Sequence, residues 1–75
     1  MKSVTFTSRH DGEITVKIGT IVGFKSDIEQ YGKVTAIKPR GSFYEFTVVN
    51  ENGFDGGYIG GDRETVVFSD DVWID

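Results

Sequence analysis

Apolar and polar residues alternate along most of the chain with a period of two, the spacing of strands that turn one face to a core and the other to solvent. Val4-Thr5-Phe6-Thr7 and Ile14-Thr15-Val16-Lys17-Ile18 carry the pattern first, and Arg9-His10-Asp11-Gly12 between them ends in a turn dipeptide, so a β-hairpin is predicted. After Gly19, residues 20–25 (TIVGFK) read as a third strand, with Gly23 placed where a bulge or a close crossing suits it. Residues 26–30 (SDIEQ) have the chemistry to cap and form one helical turn, too short to be a stable helix. Residues 32–38 (GKVTAIK) form a fourth strand, ended by a turn through Pro39, Arg40 and Gly41. Residues 43–50 (FYEFTVVN), rich in aromatic and β-branched side chains, give the strongest strand signal, and Glu51-Asn52-Gly53 turns the chain after it. Residues 63–69 predict another strand and residues 72–74 a short last one beyond Asp70-Asp71. Nowhere is the 3.6-residue apolar spacing of a helix sustained. The expectation is an all-β fold: a small barrel of roughly five to seven short strands, in which a hairpin over residues 1–18 precedes a barrel core over residues 19–75 of one domain.

Composition removes several function classes. At 75 residues the chain is near the lower limit for a self-sufficient apolar core. It has no cysteine, which excludes disulfides and thiolate ligands, and one histidine, His10, which cannot build a zinc site alone. Without such staples, homodimer formation is a route to stability. No apolar run reaches the roughly 18 residues of a membrane span and no signal-peptide core opens the chain, so a soluble, cytoplasmic protein with no membrane partner is expected.

The net charge of −4 is unevenly spread: residues 1–40 carry seven basic against four acidic groups, whereas residues 41–75 carry Arg63 against eight acids. That asymmetry marks either an acidic interaction face or, if the halves interleave, an ordinary mixed surface.

The run Ile18-Gly19-Thr20-Ile21-Val22-Gly23-Phe24-Lys25, followed by Gly32-Lys33-Val34-Thr35-Ala36-Ile37, resembles the opening of small SH3-like barrels, including the KOW type. Phe68-Ser69-Asp70-Asp71-Val72-Trp73 is similar to their closing 3₁₀ turn and last strand. Over about residues 18–75, the resemblance implies an SH3-like barrel, and the KOW type implies nucleic-acid binding. Residues 24–32 (FKSDIEQYG) and 54–61 (FDGGYIGG), with the near-terminal Trp73, further resemble accessory proteins of large tailed bacteriophages. That likeness implies action on a host protein in the host cytoplasm.

Five of the ten glycines fall between Gly53 and Gly61, around Phe54, Tyr58 and Ile59. Neither a P-loop nor a dinucleotide fingerprint is present, Asp55, Asp62 and Glu64 would repel a phosphate, and EF-hand spacing is absent. The segment either bends while its apolar residues tuck inward or presents Tyr58 to a partner. His10 beside Asp11 lies in a predicted turn without a nucleophile, and Asp70-Asp71 need not share a cleft, so neither a catalytic site nor a cofactor or metal site is expected. The reading is a non-catalytic module that binds and occludes a protein. Tyr31, Phe54, Tyr58 and Trp73 supply aromatic contacts, with Asp62, Glu64, Asp70 and Asp71 around them. In the alternative, Lys25, Lys33, Lys38 and Arg40 hold nucleic acid, against a pI near 4.8 that opposes it. A third alternative sequesters a small molecule or nucleotide under the glycine-rich loop.

Overall fold

The computed structural model describes residues 1–26, 28–49 and 64–74. Their fold is all-β and barrel-like. β1 (Ser3–Ser8) and β2 (Gly12–Lys17) form an antiparallel hairpin, and β3 (Ile21–Ser26), β4 (Ile28–Arg40), β5 (Phe43–Val49) and β6 (Glu64–Phe68) form a four-stranded antiparallel sheet in chain order. A single 3₁₀ turn, η1 (Ser69–Asp71), follows β6. The hairpin turns where Gly12, at φ 76°, supplies the left-handed backbone that other residues avoid.

Ser26 and residues 28–30, expected in one helical turn, are strand. Lys25 pairs with Glu29 and Phe24 with Gln30, so β4 already begins at Ile28. The physical reason is cooperative: one isolated helical turn gains little, whereas extending the ladder adds cross-strand contacts at each pair. Pro39 and Arg40 likewise belong to β4, opposite Tyr44 and Phe43, and the turn is confined to Gly41 and Ser42. Proline is tolerated at this strand end because one missing donor interrupts little of the ladder.

Val4 and Val16, opposite each other in the hairpin, are buried with Val22, Phe24, Val34, Ile37, Phe46, Val48, Val67 and Val72 in one cluster. Val34 and Ile37 are three positions apart, which plain alternation would place on opposite faces. The register shifts between Val34 and Ala36, and this bulge at Thr35 turns both residues inward. Phe6 carries the hairpin onto the sheet, with its ring 5.7 Å from that of Phe46 and 6.2 Å from that of Tyr44.

The chain then closes on itself. Where β6 ends, the Tyr44 N–H donates to the Ser69 hydroxyl at 2.9 Å, and η1 carries the chain across to the outer edge of β3. There Gly23 N–H donates to the Trp73 carbonyl at 2.8 Å and Trp73 N–H to the Gly23 carbonyl at 3.0 Å. The free edge of β3 is thereby paired at Gly23, which blunts pairing with other chains there. Gly23 is needed for space: a Cβ built on it would lie 2.3 Å from Nε1 of the Trp73 indole. Gly23→Ala is therefore expected to displace the indole and cost roughly 1–3 kcal/mol, the range for an overpacked core position. The check is a thermal melt that falls by several degrees together with a red shift of Trp73 emission.

Candidate functional site

Three segments distant in sequence meet at the Trp73 end of the fold. The turn after β1 brings Arg9, His10 and Asp11; β3 and β4 bring Lys25, Glu29 and Tyr31; the closing segment brings Asp71 and Trp73. Together they line a cleft of about 550 Å³.

Strand parity explains the middle group. Gly23 pairs with Tyr31 and Lys25 with Glu29, so on the face opposite the buried Val22 and Phe24 these residues form a contiguous patch. Trp73 sits on that patch at Gly23. The Tyr31 ring stands at 86° to the indole with centroids 6.4 Å apart, and the His10 ring at 71° and 5.1 Å. Near-perpendicular pairs are the arrangement that aromatic quadrupoles favour.

The β1–β2 turn is fixed by the closing segment rather than by its own residues alone. The Ser8 hydroxyl is buried, donates to the Val72 carbonyl at 2.8 Å, and accepts from the His10 and Asp11 amides at 3.1 and 3.4 Å. The Asp11 carboxylate accepts the Ile74 N–H at 2.7 Å. Arg9 approaches Asp71 at 3.8 Å, but both side chains are more than half exposed, so this pair contributes at most about 1 kcal/mol. Hydrogen bonds set the geometry, and the ion pair leaves the rim adjustable.

Of the residues expected to contact a protein partner, Tyr31, Asp71 and Trp73 line the cleft. Asp70 is exposed on η1 beside it, and Glu64 is exposed at the start of β6, opposite Val49. Phe54, Tyr58 and Asp62 lie outside the described residues, as does the glycine-rich segment 53–61. The four basic positions stand on the outer face of β3 and β4, interleaved with acids. Lys25 faces Glu29, Lys38 faces Glu45, and Arg40 Nε donates to Glu45 Oε1 at 2.9 Å. Among the described residues no three metal-ligating side chains come together.

Sequence reasoning missed Arg9, His10, Asp11 and Glu29 as cleft residues. The turn pattern gave their local conformation, but their place beside Trp73 depends on a contact that spans the chain. Comparison with protein-family models, curated proteins and solved structures finds no match.

Ser8→Ala tests the construction of the site. It leaves the Val72 carbonyl and two turn amides without their shared partner, and a loss of about 1–3 kcal/mol is expected. Equilibrium unfolding measures it, and faster amide exchange at His10 and Asp11 would localise the loss to the turn.

Proposed function

We propose that the protein is a non-catalytic binding module with an SH3-like barrel, which docks on a partner protein through the Trp73 cleft and occludes the partner's surface. The observation that supports this reading is the convergence of Trp73, Tyr31 and His10 in one concave site with a charged rim. Rigid aromatic side chains give large contact area at small entropic cost and dominate the energetics of interfaces, while rim charges set specificity and on-rate. A phage-type role, in which the partner is a host protein in the host cytoplasm, rests on the sequence resemblance alone.

Nucleic-acid binding is the second reading. It is favoured by the placement of Lys25, Lys33, Lys38 and Arg40 on one face of β3 and β4. Glu29 and Glu45 stand beside three of these cations, and the chain carries a net charge of −4, so phosphate contacts would first have to overcome repulsion. A small-molecule role for the glycine-rich segment concerns residues outside those described.

Capture from a bacterial lysate with the wild-type protein, Tyr31→Ala and Lys38→Glu separates the first two readings. The expected result is a protein catch that survives nuclease, is reduced roughly thirtyfold in affinity by Tyr31→Ala, as for an interface anchor, and is unaffected by Lys38→Glu. A catch that disappears with nuclease or with Lys38→Glu would give the nucleic-acid reading the lead.

A further inference from the structure

The chemistry of the cleft says more about what occupies it. Two of its side chains, Tyr31 and Trp73, present π-systems whose faces carry partial negative charge. Around them stand three carboxylates, Asp11, Glu29 and Asp71, against two cations, Arg9 and Lys25. Each cation already has an acid close by: Arg9 lies 3.8 Å from Asp71, and Lys25 is the cross-strand neighbour of Glu29. The third carboxylate, Asp11, accepts from the Ile74 amide and forms no ion pair among the described residues. The cleft therefore combines ring faces with an excess of negative charge.

An anionic occupant would meet repulsion from both. A neutral apolar occupant would gain from the rings but nothing from the rim. A delocalised planar cation gains from both, since a guanidinium stacks on aromatic faces and donates paired hydrogen bonds to carboxylates. Arginine is favoured over lysine because its weaker hydration makes it easier to bring against the rings. We propose that the cleft receives an arginine side chain of the partner protein, with the guanidinium packed against the Trp73–Tyr31 ring pair and paired with a rim carboxylate. This deepens the binding-module reading and rests on it.

The exposed ion pairs at the mouth suit such an exchange. Arg9 and Asp71 are more than half exposed, so water can replace either partner and free the Asp71 carboxylate for an incoming arginine. Recognition then swaps one guanidinium for another at the same acid, and the rings decide which is held deeper.

The chain has one tryptophan, and Trp73 lies in the cleft, so its emission reports occupancy directly. The full chain is titrated at low ionic strength with acetyl-Gly-Arg-Gly-amide. Two control peptides replace the arginine by citrulline, its neutral isostere, or by glutamate. The expected result is a saturable change with the arginine peptide at millimolar concentration, about tenfold weaker binding of the citrulline peptide, no response to the glutamate peptide, and weakening of the arginine response by added salt. Tyr31→Leu should lower arginine affinity roughly threefold to tenfold, and Glu29→Gln about threefold, with melting temperatures retained. Citrulline binding as tight as arginine binding, or no saturable response to arginine up to about 50 mM, well beyond the weak millimolar range, overturns the proposal. If Tyr31→Ala abolishes partner capture while the arginine peptide neither binds nor competes, the binding-module reading survives and the arginine inference fails. If the arginine peptide binds but no protein is captured, the inference about the cleft holds and the module reading fails.

Discussion

The apposition of Gly23 and Trp73 is the contact on which the remaining structure depends. β3 would otherwise be the open edge of a four-stranded sheet, and the segment after η1 would have nothing to pair with. Two backbone hydrogen bonds join them, and the indole occupies the volume where a side chain of Gly23 would stand. A larger residue at position 23 would push the strands apart, and a smaller one at 73 would leave the outer face of β3 uncovered. Closure of the barrel is thus a steric agreement between one residue without a side chain and one with the largest.

That agreement fixes the hairpin as well. Val4 and Val16 anchor it to the common core, but its tip is held by the closing segment, through Ser8 to the Val72 carbonyl and Asp11 to the Ile74 amide. In a chain with no disulfide to staple distant parts together, these hydrogen bonds act between residues more than sixty positions apart. They also explain why the cleft forms where it does. The turn, the β3 edge and the closing segment meet there because each satisfies the backbone groups of another.

How much of this was legible in the sequence depended on range. Period-two alternation located the strands, Gly12 marked the hairpin turn, and the isolated Gly23 within a strand pattern signalled a bulge or a close crossing, of which the structure has the second, because an interior glycine weakens a strand unless something needs the space. What failed was local chemistry read without its tertiary setting. Ser26 and Asp27 looked like the start of a helical turn, yet Glu29 and Gln30 gain more by pairing with Lys25 and Phe24. Pro39 looked like a turn residue and instead ends a strand opposite Tyr44. For the cleft, Tyr31, Asp71 and Trp73 could be singled out by residue type, because exposed aromatics and acids are informative one by one. His10 and Asp11 could not. A histidine in a hairpin turn carries no sign that a tryptophan sixty-three positions later will lie 5.1 Å from its ring.

The arrangement makes the closure of the fold and the lining of the cleft share one side chain. Trp73 closes the barrel through its backbone and lines the cleft with its ring, so any substitution there mixes loss of fold with loss of contact. Tyr31 is different. It pairs with Gly23 through the backbone of β4, and that pairing does not depend on the phenol ring. Its side chain stands across from the indole outside the buried cluster, so removing it takes away one wall of the cleft while the core stays packed. Glu29 has the same character at the rim, exposed on a strand whose ladder its backbone maintains. The cleft therefore divides into a floor that the fold cannot do without and walls that it can. Substitutions at Tyr31, Glu29 and Asp71 would reshape the walls of the cleft, whereas Gly23 and Trp73 are fixed by closure.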